Sequence, residues 1–100
     1  VEAVRYPGLG PDPVAARLLA GGFGGLLSFD VRGGAEAAQR VEAATRLIAN
    51  ATSLGGAHST LETRYRYEGD RVPAGLVRLS AGLEHVDDLW ADLEQALAQA

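Results

Sequence analysis

The chain has 100 residues, a formal net charge of −4, nine arginines, no lysine and no cysteine. This length suffices for one domain with its own core, and the acidic balance disfavours binding to nucleic acid. The lack of cysteine excludes disulfides and fits a cytoplasmic protein, and no apolar run approaches the roughly 20 residues that a membrane-spanning helix needs.

The first third of the chain predicts a strand and a short helix. Residues 1–6 form an extended run that a Pro-Gly turn ends, without the basic head and apolar block of a secretory signal. Asp12 is a suitable N-cap and Pro13 a suitable first residue for a helix, which Gly21 and Gly22 end.

The period of the apolar residues changes in the next two segments. Residues 26–31 alternate, which predicts a strand with Leu27, Phe29 and Val31 on one face. Residues 35–50 follow a helical period, so we predict one helix over this range. Its apolar positions are Ala37, Val41, Ala44 and Ile48.

The last forty residues predict two strands and a helix. Residues 61–67 alternate, with Glu62, Arg64 and Arg66 on one charged face, and residues 76–80 form a second strand. The first turn of the final helix contains two aspartates, whose negative charge favours a helix start at this point. Its apolar stripe is Val86, Leu89, Trp90, Leu93 and Leu97, of which we expect Trp90 and the leucines to lie in the core.

This order of elements predicts an α+β fold. It contains too few crossovers for a doubly wound sheet, which favours a two-layer sandwich with a mostly antiparallel sheet. We expect about four strands, with about three helices on one face, in a single domain over residues 1–100. The opposite face of the sheet is then either exposed to solvent or packed against another domain.

Three apparent motifs have simpler explanations. Glycines 21–25 connect a helix to a strand, the reverse of a dinucleotide-binding loop, so we predict a turn. His58 and His85 lack neighbouring ligands at metal-binding spacing, and we expect them on the surface. Ser53 and His58 could join an acid in a hydrolytic triad, but no serine stands in a G-x-S-x-G pattern.

Arg78 is harder to explain as a structural residue. It lies within an apolar strand and shares a face with Leu76 and Ser80. A cation in a central strand needs an anionic partner, because an unpaired buried charge costs several kcal/mol. The planar guanidinium suits a carboxylate, so Arg78 is our candidate binding residue.

Four blocks of sequence, in order, carry a family resemblance: VRYPGLGPDP, GFGGLLSFDVRGG, SLGG and GLVRLSAGLEHVDDLWADLEQAL. Together they resemble the C-terminal domain of the Cys/Met metabolism enzymes that use pyridoxal phosphate. This group includes cystathionine gamma-synthase, cystathionine gamma-lyase and methionine gamma-lyase. The resemblance covers nearly the whole chain.

The resemblance implies that Arg78 binds the α-carboxylate of an amino-acid substrate, with help from Ser53. Thr52 is the third candidate for substrate binding in this comparison, since it stands where enzymes that handle cystathionine often have glutamate. His58 replaces a residue that is commonly acidic. The substrate's side chain therefore stays open. The resemblance places the catalytic lysine and the cofactor-binding residues in a missing N-terminal domain, so we expect neither a catalytic residue nor a metal site in this chain.

The implied full-length protein is a homotetramer that uses pyridoxal 5'-phosphate for gamma-elimination or gamma-replacement on sulfur-containing amino acids or activated homoserine. The chain alone has no lysine to form a Schiff base and is expected to be inactive. The alternative is a stand-alone, non-catalytic amino-acid-binding or regulatory module of the same fold. An exposed apolar docking surface would favour the enzyme domain, and a closed polar surface would favour the module.

Overall fold

The computed structural model describes residues 1–10, 13–19 and 21–100, so the predicted N-cap Asp12 lies outside the described residues. In the described part of the chain, no helix combines the length and the apolar character needed to cross a membrane. The elements, in chain order, are β1 (Ala3–Arg5), α1 (Pro13–Leu18), β2 (Leu26–Asp30), α2 (Gly34–Ala44), β3 (Ala49–Asn50), β4 (Thr60–Thr63), α3 (Tyr65–Glu68), a 3₁₀ turn (Gly69–Arg71), β5 (Leu76–Ser80) and α4 (Val86–Leu97).

The strands form one sheet in the order β1-β2-β5-β4-β3. Every neighbouring pair is antiparallel except β3 and β4, which are parallel. The predicted α+β fold with a mostly antiparallel sheet is confirmed, and the two-residue strand β3 is an addition to the four predicted strands. Because β5 is the central strand, Arg78 lies in the middle of the sheet.

The two faces of the sheet differ in character. Phe29, Leu61 and Val77 are almost fully buried on the face against which α2 and α4 pack. Burial of each such side chain favours folding by about 1.5–3 kcal/mol. The opposite face carries a polar row whose members lie side by side across four strands: Arg5, Ser28, Arg78 and Glu62.

Helix α2 is shorter than predicted, since it ends at Ala44 rather than continuing to residue 50. Thr45 adopts an extended backbone conformation, and the next residues turn away from the helix axis. The carboxylate of Asp92 on α4 accepts the backbone N–H groups of Arg46, Leu47 and Ile48, each over 2.8 Å. These bonds replace the ones that a longer helix would supply, so a distant residue ends α2.

The prediction of a strand over residues 61–67 is also wrong in its second half. Strand β4 ends at Thr63, whose N–H and hydroxyl both bond to the buried carboxylate of Glu42 on α2. Arg64 then takes a helical backbone conformation and bonds to Glu68 one turn later. Arg66 pairs with Glu42 and does not lie on the charged strand face that the alternation predicted.

Helix α4 begins as predicted, but part of its apolar stripe lies outside the core. The imidazole of His85 accepts the N–H of Asp87 and caps the helix, and Asp87 and Asp88 occupy its first turn. Leu93 packs against the core, whereas Trp90 is 56% exposed. The expectation that Trp90 is a core residue is therefore wrong for this chain.

Candidate functional site

Arg78 is partly buried on the polar face, with 22% of its side chain exposed. Its Nη2 donates to Oε1 of Glu62 over 2.6 Å and to the backbone carbonyl of Thr52 over 2.7 Å. Within the described residues, Nε and Nη1 donate no hydrogen bond, and neither nitrogen is sealed from solvent. A guanidinium has five N–H donors, so the Nε and Nη1 groups remain available for an anion.

Two other arginines near this face, Arg5 and Arg64, each use two of their three nitrogens within the fold. Arg5 lies in the same row, but Nη1 and Nη2 both bond to Asp30 over 2.8 Å. These bonds lower the pKa of the Asp30 carboxyl and raise the pKa of Arg5. Arg64 bonds to two carboxylates through Nε and Nη1. Among the described residues, Arg78 thus leaves two of its three nitrogens without a hydrogen bond, whereas Arg5 and Arg64 each leave one.

The turn that carries Thr52 and Ser53 is tied to the sheet at successive residues. Thr60 donates from its hydroxyl to the carbonyl of Ser53 over 2.7 Å, and Ser80 accepts the N–H of Gly55 over 2.7 Å. The side chains of Thr52 and Ser53 are exposed. Because the Thr52 carbonyl is bonded to Arg78, the structure brings the three predicted binding residues to one place.

A second set of contacts holds residues 57–59, which follow the turn of Thr52 and Ser53. Leu83 bonds to the carbonyl of Ala57 over 2.7 Å, and a Cβ at Gly82 would meet that carbonyl oxygen at 2.1 Å. Only glycine permits so close an approach. Ser59 donates its N–H and hydroxyl to Glu84, which lowers the pKa of the Glu84 carboxyl.

The inner wall of the site is a buried ion cluster on β4 and β5. Glu62 is 2% exposed and accepts hydrogen bonds from both Arg64 and Arg78 on the same oxygen, Oε1. Arg64 also bonds to Glu68 over 3.0 Å. The hydrogen bonds to Glu68, which has the larger effect, and to Glu62 raise the pKa of Arg64. The sequence indicated that Arg78 needs an anion, but only the strand register identifies Glu62 as that anion.

The residues of the three weaker motifs have defined places in the described part of the chain. Ser53 makes no hydrogen bond to His58, whose Nδ1 lies 3.0 Å from Glu84, so no triad is assembled. No group of three or more possible metal ligands occurs among the described residues. His58 and His85 are both exposed, and the glycines at 21, 22 and 24 form a connection from α1 to β2.

An apolar groove lies on the other side of the sheet, along α4. It has a volume of 430 Å³, and its lining includes Val1, Val4, Leu27, Trp90, Leu93 and Leu97. Val4 is 50% exposed and Trp90 56% exposed at this surface. Large contiguous apolar surfaces occur at interfaces with proteins or membranes and in ligand-binding grooves.

Comparison with known proteins gives matches over nearly the whole chain. A putative cystathionine gamma-lyase of Streptomyces coelicolor is 45% identical over 97% of this chain and 25% of its own length. A cystathionine gamma-synthase of Mycobacterium bovis is 46% identical over 97% of this chain and 27% of its own length. The crystal structure of metB from Corynebacterium glutamicum superposes with a TM-score of 0.87 and 44% identity, covering 98% of this chain and 28% of that one.

The chain spans about a quarter of the length of the curated relatives that it matches. The family model described as Cys/Met metabolism PLP-dependent enzyme matches residues 1–98. This match confirms the resemblance that the four sequence blocks indicated. The chain belongs to the family of Cys/Met metabolism PLP-dependent enzymes.

Proposed function

We propose that this chain is the C-terminal, substrate-binding domain of a PLP-dependent trans-sulfuration enzyme of the cystathionine gamma-lyase or gamma-synthase type. The enzyme catalyses gamma-elimination or gamma-replacement on sulfur-containing amino acids or activated homoserine. One observation carries the assigned binding role: Arg78 is fixed in the central strand while its Nε and Nη1 groups, among the described residues, remain unpaired and open to solvent.

The residues of this chain bind and orient the substrate. Arg78 donates from Nη1 to the α-carboxylate, and the charge on both groups strengthens the bond. The hydroxyl of Ser53, in the adjacent turn, donates to the same carboxylate. Thr52 forms the neighbouring wall that meets the rest of the substrate. Because the sheet fixes Arg78 and the turn is bonded to it, the substrate is held in one orientation, which lowers the entropic cost of reaction.

We assign no pyridoxal phosphate site to this chain alone. The sequence has no lysine to bind the cofactor covalently, and the open guanidinium at the candidate site belongs to Arg78. In the family, the cofactor supplies the electron sink for reactions at the amino-acid carbons. We assign its binding, and the catalytic lysine, to the part of the full-length enzyme outside this chain, so this chain alone should be inactive.

The surface supports a larger protein over a stand-alone module. The relatives are several times longer than this chain, and the groove along α4 is apolar and exposed rather than closed and polar. In our proposal the N-terminal domain covers exposed apolar surface of this kind, and the full-length enzyme is a cytoplasmic homotetramer. The matched names include both a lyase and a synthase at nearly equal identity, so the proposal stays at the level of the shared chemistry.

The intact mass of the native protein tests the domain assignment. An antibody against this chain should detect a species several times heavier than 10.4 kDa that carries pyridoxal phosphate. A native species of 10.4 kDa would instead support the stand-alone module.

Substitution of Arg78 tests its assigned role. In the full-length enzyme, Arg78→Ala should lower kcat/KM by roughly ten- to hundred-fold, because it removes a charge-assisted bond to the substrate. The absorbance of the bound cofactor should not change. Arg32→Ala is the matched control, since 78% of its side chain is exposed and its one ion pair is 3.9 Å long. Equal kinetics for the Arg78 variant and this control would exclude the carboxylate role.

A further inference from the structure

We infer that Glu62 is a positioning residue for substrate binding, acting through Arg78, and that Arg64 is the counter-ion that permits this. The inference rests on the proposed carboxylate-binding role of Arg78. It starts from the placement of Glu62 directly opposite Arg78 across β4 and β5.

The contact fixes one end of the guanidinium. Oε1 of Glu62 accepts from Nη2 of Arg78 over 2.6 Å, and Nη2 also reaches the Thr52 carbonyl over 2.7 Å. Both fixed bonds use the same nitrogen, so Nη1 and Nε keep their N–H groups free of an acceptor among the described residues. A long side chain that would otherwise sample several rotamers is thereby held in one conformation, with its entropy lost before the substrate arrives.

The burial of Glu62 makes the contact a stiff one. Only 3% of its side chain is exposed, so its carboxylate has little water to compete with the arginines. By contrast, an exposed ion pair is screened by solvent and holds its members loosely. Glu62 therefore acts as a rigid anchor for Arg78.

Arg64 resolves the electrostatic conflict that this anchor creates. A buried carboxylate beside Arg78 would neutralise it and repel the carboxylate of a substrate. Arg64 donates to the same Oε1 atom, so one negative charge is shared by two guanidinium groups. Arg78, Arg64 and Glu62 together carry a net charge of +1. Glu68 bonds the far side of Arg64 and brings the sum of the four charges to zero, but its side chain is 38% exposed, so solvent screens its charge. Arg78 is held by Glu62 and still attracts an anion.

The test uses the full-length enzyme and a pair of ligands that differ only in the α-carboxylate, L-norleucine and n-pentylamine. Their dissociation constants are measured by calorimetry for the wild type, Glu62→Ala, Glu62→Gln and Arg78→Ala. The matched control is Glu42→Gln, because Glu42 is also a buried glutamate that pairs with an arginine and bonds to β4.

Glu62→Ala should weaken L-norleucine binding by about tenfold, the effect of losing one charge-assisted bond, and change n-pentylamine binding by less than about twofold. Glu62→Gln keeps an acceptor oxygen and should weaken L-norleucine binding by about threefold. If Glu62→Ala does not fold, the comparison with the wild type is made with Glu62→Gln alone. In the Arg78→Ala background, Glu62→Gln should have no further effect on L-norleucine. Glu42→Gln should leave the ratio of the two constants unchanged.

The possible outcomes separate the two proposals. If Arg78→Ala does not weaken L-norleucine selectively, the proposed function fails. If Arg78→Ala does so but the Glu62 variants affect both ligands equally, or neither, the positioning role is wrong and the proposed function stands. Tighter binding of L-norleucine by the Glu62 variants would also overturn the positioning role, since Glu62 would then only compete for Arg78.

Discussion

Arg78 donates a hydrogen bond from Nη2 to the backbone carbonyl of Thr52 over 2.7 Å, although 26 positions separate the two residues. The cation at the centre of the sheet therefore also holds the turn that carries Ser53. One side chain determines both the position of a donor group and the position of the loop beside it.

Arg78→Lys should be nearly as damaging as Arg78→Ala in the full-length enzyme. A lysine keeps the charge, but its compact ammonium cannot bond to Glu62 and Thr52 and also present further fixed donors to a ligand. We expect kcat/KM to fall by about tenfold or more, the effect of losing one charge-assisted bond. Steady-state kinetics, with Arg32→Lys as the surface control, measure the effect. Wild-type kinetics in Arg78→Lys would show that charge alone is needed.

Ser53→Ala should have a smaller effect than substitution of Arg78. A neutral hydroxyl bond contributes about 0.5–1.5 kcal/mol, so kcat/KM should fall by roughly two- to tenfold. Thr52→Ala is a useful comparison, because Arg78 bonds to the backbone carbonyl of Thr52, which alanine retains. A larger effect for Thr52→Ala than for Ser53→Ala would reverse the roles assigned to these two side chains.

Gly82→Ala should destabilise the loop around the site. The new Cβ would lie 2.1 Å from the carbonyl oxygen of Ala57, so the backbone must move. We expect a cost of about 1–3 kcal/mol, as for other overpacked positions. Thermal unfolding of the chain measures the loss. Gly56→Ala is the control, because nothing lies within 4 Å of its Cβ, and its melting temperature should stay close to that of the wild type.

Asp92→Asn should destabilise the connection after α2. Burial favours the neutral acid, but the N–H groups of Ile48, Arg46 and Leu47 outweigh it and lower the pKa of the Asp92 carboxyl. Loss of the charged acceptor should cost about 2 kcal/mol at pH 7. Glu94→Gln, an exposed position of α4 beyond its first turn, is the control and should change the free energy of unfolding by less than about 0.5 kcal/mol.

The pH dependence of the same variant gives a second readout. Because the folded-state pKa of Asp92 is lowered, its contribution is fully present above the unfolded value of about 3.9 and is lost as pH falls through the folded pKa. The wild type should therefore lose more stability than Asp92→Asn between pH 5 and acidic pH below about 3. Urea unfolding at several pH values measures this difference. Parallel pH profiles for the two proteins would contradict the assigned role of Asp92.

Predictions from local sequence patterns are correct where the interacting residues lie near each other in the chain. The strand at β5 and the alternation of Leu27, Phe29 and Val31 follow from a period of two and the turns around them. The need of Arg78 for an anion follows from its place in an apolar strand. The local sequence does not reveal that this anion is Glu62, because the pairing of Glu62 with Arg78 depends on the register between β4 and β5.

The patterns that predicted wrongly are those that a distant residue overrides. The helical period runs past Ala44, but Asp92 takes the backbone N–H groups that would extend α2. The alternation after Thr63 imitates a strand, but Glu42 binds Thr63 and Arg66 and the chain turns into α3. Neither contact leaves a signal in the local sequence.

The most direct test of the central claim is a crystal structure of the full-length enzyme with L-norleucine bound. The measured quantity is the distance from Nη1 of Arg78 to the α-carboxylate oxygens. We expect a charge-assisted bond of about 2.8 Å, with the Ser53 hydroxyl on the same carboxylate. A carboxylate bound by other groups, with Arg78 more than about 4 Å away, would contradict the account, since no direct bond forms at that distance.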